Sequence, residues 1–213
     1  MDSAKDIARE MLDAININSS GFLEAATKGF ISFPVGLGYL GRDFFDTEHR
    51  RENQDDKYRL ARLIKRTTLN KEIIEIVIQP FIDDFISHID MNKLASFAKN
   101  VAGTLSGKFL FSQITGYSIG KAITSQGVAS FISGGAVGAL LAIGVEASRA
   151  IYTSRYLREK NQAMYTKLNR MGDLDLLYYL VEDIVKPYEK ACEMAETDPG
   201  KFNKVCEYYF GGL

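Results

Sequence analysis

The chain has 213 residues, 46% of them apolar and 25% charged, with a formal net charge of −1. That length buries a sizeable core without disulfides or metals, and that composition excludes wholesale disorder and a polytopic membrane protein. The near-zero charge excludes a whole-chain field for nucleic acid.

The chain opens MDSAKDIAREMLDAI, with no apolar run after a basic start, so a secretory signal is not expected. Ile7, Met11, Ala14 and Ile15 fall on one face at a 3.6-residue period and predict an amphipathic helix over 4–17. Residues 22–45 are apolar but interrupted by Gly29, Pro34, Gly36, Gly38 and Gly41, which predicts two short helices broken at Pro34. Residues 46–57, DTEHRRENQDDK, carry both signs of charge and read as a solvated loop or helix start, with a helix from Tyr58 to Arg66. In 70–89, Ile73, Ile74, Val77, Phe81, Phe85 and Ile89 recur at helical spacing, and Pro80 is expected to kink or divide that helix.

Residues 92–121 are helical in pattern and rich in small residues. The next helix is expected to run on to Met171, with Gly172 at its C′ position and Asp173 capping the helix after it. That helix is expected to end near Pro187, with a further helical segment from Tyr188 to about Ala195. Asp198-Pro199 reads as the cap and first residue of a last helix reaching Phe210. The absence of Asn-Gly and Asp-Gly hairpin signals, only four prolines and long periodic stretches make the expected fold all-α. The expected architecture is a single-domain helical bundle over 1–213, with a central glycine-rich apolar helical hairpin at 103–146.

Between Lys108 and Glu146 the only charge is Lys121. The run 122–145, AITSQGVASFISGGAVGALLAIGV, is uncharged for 24 residues. At about 1.5 Å per residue it would span roughly 36 Å, against a hydrocarbon core of about 30 Å. Ser130, Gly134, Gly138 and Ala142 form one stripe at four-residue steps, and Gly103/Gly107 and Gly116/Gly120 repeat the spacing. Glycine inside a helix costs about 1 kcal/mol relative to alanine in water, so this many call for a reason. Close approach of two helix backbones is one, in lipid or in a soluble core. Conformational change is another. A central helix walled by amphipathic ones would carry the same pattern, so burial and membrane entry both fit.

The helix after this run is basic: Arg149, Arg155, Arg158, Lys160, Lys167 and Arg170 stand against Glu159 alone. Basic residues beside an apolar segment suit anionic headgroups, and Lys108, Lys121 and Glu146 would set the depth of a hairpin. Alternatively, the tail 173–213, with nine acids and four bases, neutralises the basic helix internally.

An uncharged hairpin at 103–146 among amphipathic helices resembles, in hydrophobic patterning, the pore-forming domains of colicins. The chain also looks like small ion-permeabilising effectors of bacterial competition delivered by type VI-like secretion. The resemblance implies a protein made soluble in the cytoplasm, exported by a dedicated secretion system and acting at a target cell's anionic inner membrane. It also implies a cognate immunity protein and a homo-oligomer in the membrane.

Other chemistry has little support. His49 and His88 lack metal-ligand spacing and read as surface or helix-end residues. Asp83-Asp84 and Asp173/Asp175 read as solvated acidic pairs. Ser106-Gly107-Lys108 and Ser118-Ile119-Gly120-Lys121 do not complete a phosphate loop, and no GxSxG occurs. Cys192 and Cys206 show no CxxC spacing and point to a reducing compartment during synthesis. Tyr178, Tyr179, Tyr188, Tyr208, Tyr209 and Phe210 are expected to pack the C-terminal helices, with a partner surface as the alternative. No catalytic residue, cofactor, metal or nucleic-acid partner is expected.

Overall fold

The computed structural model describes residues 2–16, 50–67, 71–90, 93 and 144–211. About 90% of these residues are helical and none lies in a strand, so the protein is all-α. The helices are α1 (Ala4–Asn16), α2 (Arg50–Arg66), α3 (Lys71–Ser87), α4 (Gly144–Lys160), α5 (Gln162–Arg170), α6 (Tyr178–Thr197) and α7 (Pro199–Gly211), with a 3₁₀ turn at Leu174–Leu177 before α6. Contacts divide the chain into two compact units. Unit 1 takes Met1–Ile17, Ile78–Ser130 and Asp183–Leu213; unit 2 takes Asn18–Val77 and Phe131–Glu182.

In unit 1, α1 begins at a reciprocal cap. The Ser3 hydroxyl accepts from the Asp6 amide at 3.1 Å, and the Asp6 carboxylate accepts from the Ser3 amide at 3.2 Å. Ile7, Ala8, Met11 and Ala14 are buried, the face expected from their spacing, and α1 packs along α7. Lys190 ties the start of the chain to α6 through Asp2 at 3.0 Å and Glu10 at 2.7 Å. The core is aromatic. Phe85 meets Tyr188, Phe202 and Tyr209 edge to face, with centroids 5.5, 5.9 and 5.9 Å apart. The Tyr188 and Tyr209 hydroxyls, both buried, bond each other at 2.9 Å. Of the expected cluster, Tyr188, Tyr209 and Phe210 belong to this core, whereas Tyr208 is exposed.

Neither proline divides its helix. Pro80 lies inside α3 and Pro187 inside α6, so no new helix begins at Tyr188. A proline in a helix interior costs about 3 kcal/mol. Around Pro80, Ile78, Phe81, Ile82 and Phe85 are buried in unit 1. At about 1.5–3 kcal/mol per buried large side chain, their burial outweighs the lost hydrogen bond.

In unit 2, α2 begins at Arg50, so of the two readings of the charged stretch 46–57, loop or helix start, the helix start holds. The basic helix does not run unbroken to Met171. It ends at Lys160, because the Asn161 side chain accepts from the Met164 amide at 3.0 Å and starts α5 as its cap. An asparagine that bonds a nearby amide offers the backbone an alternative to continuing the helix. Gly172 follows α5 with φ +101, as expected of a C′ residue. Asp173 also has a left-handed φ of 66, and its side chain makes no cap bond. In unit 1, by contrast, Asp198 does cap α7, accepting from the Lys201 amide at 2.9 Å ahead of Pro199. Among these elements α4 is the most enclosed: Ala150, Ile151, Tyr152, Thr153 and Ser154 are buried in succession, so every face of the helix is covered there.

Candidate functional site

Three arginines and three aspartates form a network in unit 2 that carries no net charge, its aspartates buried and Arg62 exposed at its edge. At its centre is Asp175, in the 3₁₀ turn, with a side chain that is 0% exposed. Arg59 of α2 donates through Nη2 to both Asp175 oxygens at 2.7 Å. Ser154 of α4 donates through Oγ at 2.5 Å, and Asn169 of α5 through Nδ2 at 3.2 Å. One carboxylate thus joins three helices.

The other members extend the network outwards. Arg59 also donates through Nε to Asp173 at 2.9 Å and through Nη1 to Asp56 at 2.8 Å. Arg155 of α4 donates through Nε and Nη2 to the second Asp56 oxygen at 3.0 and 2.7 Å. Arg62 donates through Nε and Nη2 to Asp173 at 3.1 and 2.6 Å. Burial alone would lower the Arg59 pKa, but the bonds to Asp175, Asp173 and Asp56 reverse that and hold it above its ordinary value. Burial likewise pushes Asp173 up, yet the bonds from Arg62 and Arg59 prevail and hold it below the usual carboxylate range.

This arrangement corrects two readings of the sequence. Asp173 and Asp175 are buried, not a solvated pair, because arginines from α2 supply the donors that water would supply elsewhere. Two bases of α4 find acids in residues 52–56, whereas the sequence offered the tail as their counterpart. Arg155 pairs with Asp56, and Arg158 pairs with Glu52 at 2.8 Å while lying over the Tyr165 ring, 5.8 Å from its centroid. The hydrogen bond to Glu52 raises the Arg158 pKa. Arg149 lies 5.6 Å from the centroid of Tyr179.

Of the residues singled out in the sequence, Gly103, Gly107, Gly116, Gly120, Ser130, Gly134, Gly138, Ala142, Lys108 and Lys121 lie outside the described residues, as does His49. Glu146 falls in the first turn of α4, with its side chain outside the description. Arg149, Arg155 and Arg158 are brought into unit 2 as above. The sequence reading overlooked Asp56, Arg59, Arg62, Ser154 and Asn169. A faint signal was present: Asp56, Arg59 and Arg62 stand three residues apart, on one side of a helix. Among the described residues no helix is long and apolar enough to cross a membrane.

Chemically, the network is a clamp. Each carboxylate is occupied by guanidinium donors, and the Ser154 hydroxyl that donates to Asp175 shares that carboxylate with Arg59 and Asn169. Cys192 and Cys206 are free and buried, and burial pushes both thiols up, Cys206 to about 12, so neither is an activated nucleophile. His88 sits at the end of α3 with Nδ1 2.8 Å from the Asp84 carbonyl oxygen, a helix-end position as expected. What the clamp holds is α4, the helix into which the uncharged run 122–145 leads directly. Set beside protein-family models, curated proteins and solved structures, the chain matches none of them.

Proposed function

We propose that the protein is a non-enzymatic, membrane-active bacterial toxin. Residues 103–146 enter the inner membrane of a target cell and make it permeable to ions. The observation that carries this reading is the 24-residue uncharged run at 122–145, striped with Ser130, Gly134, Gly138 and Ala142, which feeds into α4. In a resting state Arg155 and Arg158 of α4 are held by Asp56 and Glu52, and the clamp keeps the base of the apolar region in unit 2. Entry into lipid then requires α4 to exchange these partners for anionic headgroups. A cognate immunity protein and self-association in the membrane belong to the same reading.

The test is ion flux from anionic liposomes carrying an imposed potential, with the purified full chain added outside. Loss of potential without release of large dyes is expected, and Gly134→Leu with Gly138→Leu should abolish it. Intact vesicles that hold their potential across several pH values would reject the reading.

A second reading is a helical binding or regulatory protein whose apolar hairpin stays in the core. The engagement of Arg149, Arg155 and Arg158 within unit 2 favours it. It predicts no response to lipid, and loss of about 1–3 kcal/mol of stability for each glycine-to-leucine change through overpacking.

A further inference from the structure

Unit 2 carries a groove of about 280 Å³ at the joint end of α2 and α5. Leu63, Ile73 and Leu174 lie in its wall, and Ile76 and Met171 line it while remaining 40% and 42% exposed. Only four large hydrophobic side chains among the described residues are at least 40% exposed, and two of them meet here. Ligand pockets for small molecules and cofactors start at about 300 Å³, so this groove suits one or two side chains of a partner chain better than a cofactor.

Arg62 and Arg66, one turn apart on α2, complete the lining. Arg66 is exposed and makes no hydrogen bond or ion pair among the described residues. Arg62 spends Nε and Nη2 on Asp173 and leaves Nη1 uncommitted. Asp173 is the one acid in the lining, and Arg59 and Arg62 already occupy it. The groove therefore offers apolar surface with unspent positive charge on one side.

We infer that this groove docks an acidic amphipathic helix of a partner protein, with a leucine-, isoleucine- or phenylalanine-type anchor against Ile76 and Met171 and a carboxylate one turn away on Arg66 and Arg62. Apolar contact supplies the affinity and the carboxylate sets the orientation. Because Arg62 serves both the groove and Asp173, an occupant that draws Arg62 away loosens one edge of the clamp on Asp173. The inference stands whichever account of residues 103–146 holds.

The experiment pans the full-length protein against a displayed library of helical peptides, then measures the selected peptides by fluorescence anisotropy. Selected sequences should combine acidic and large apolar residues one turn apart. Arg66→Glu and Ile76→Ser should each weaken them about tenfold or more. Tyr58→Ser, at an exposed tyrosine outside the groove lining, should leave them unchanged. Failure to enrich such sequences, or binding indifferent to Arg66→Glu and Ile76→Ser, would overturn the inference. So would phosphatidylglycerol vesicles displacing the peptides while losing affinity for Arg66→Glu, which would make the groove a headgroup site. None of these readouts depends on ion flux.

Discussion

The Arg59 guanidinium and the Asp175 carboxylate, 116 residues apart in sequence, meet at 2.7 Å where the carboxylate has no exposure to water. A buried pair contributes little net stability compared with apolar side chains of the same volume, but losing one partner is costly because the other is left charged and dry. Asp175→Ala is therefore expected to destabilise unit 2 by about 3–5 kcal/mol in urea unfolding. Asp83→Ala, at an exposed acid of α3, should stay within about 0.5 kcal/mol of the parent. Equal midpoints for the two variants would mean that the network does not organise the unit.

Position along the network should grade the effect on α4. Arg155, with a side chain 12% exposed, makes two bonds to Asp56, so Arg155→Met should cost about 1.5–3 kcal/mol. The Arg158–Glu52 pair is 39% and 35% exposed, and water screening limits it to about 0.2–1 kcal/mol. Paired denaturation curves for Arg155→Met and Arg158→Met read this ratio directly. A larger loss at Arg158 would contradict it.

Acid should act through Asp173. Its pKa is lowered on folding, because the bonds from Arg62 and Arg59 outweigh burial, so the unfolded chain binds the proton more readily. Its contribution to stability is then complete above the unfolded aspartate value of about 3.9 and disappears as pH falls through the lower, folded value. Stability measured from neutral pH to pH 2 should show this fall in the parent, and a shallower one in Asp173→Asn. Superimposable profiles would remove Asp173 from the account.

Helix ends set by local chemistry were legible. Gly172, and Asp198 with Pro199, work within a few residues, and the structure has both where the sequence places them. The start of α2 was only half legible, because a stretch so rich in charge reads equally as a loop or as a helix start, and Asp56 within it is buried. Arg59 serves one oxygen of Asp56 from one turn away, but the other is served by Arg155, 99 positions later. Asp173 was misread for the same reason: its local context suits a cap, whereas two distant arginines claim both oxygens. Apolar periodicity cannot register partners of this kind. The candidate clamp was therefore largely hidden, although Arg155 stood out as a base of α4 and Asp173 and Asp175 as an acidic pair.

In unit 1 the Tyr188–Tyr209 bond supplies a cleaner energetic test. Burial raises both phenols' pKa, so both stay protonated and either hydroxyl can donate. Tyr188→Phe strands the Tyr209 oxygen in the core and should cost about 1–3 kcal/mol. Removing both hydroxyls leaves nothing unsatisfied, so the Phe/Phe double variant should be more stable than Tyr188→Phe. Simple additivity of the two single changes in a double-mutant cycle would rule out coupling between them.

The long sequence separation within the clamp also bears on synthesis. Arg59 leaves the ribosome well before Asp175 exists, by on the order of ten seconds at about 5–20 residues per second. The uncharged stretch 122–145 is made inside that interval, ahead of Arg155 and every acid of the 3₁₀ turn. For that time the nascent chain carries its greasiest sequence without the ion pairs that later hold the adjoining helix. Unit 2 closes only when its last segment emerges, so a holdase chaperone has its opportunity here, and a chain truncated before Asp173 would be left permanently at this stage.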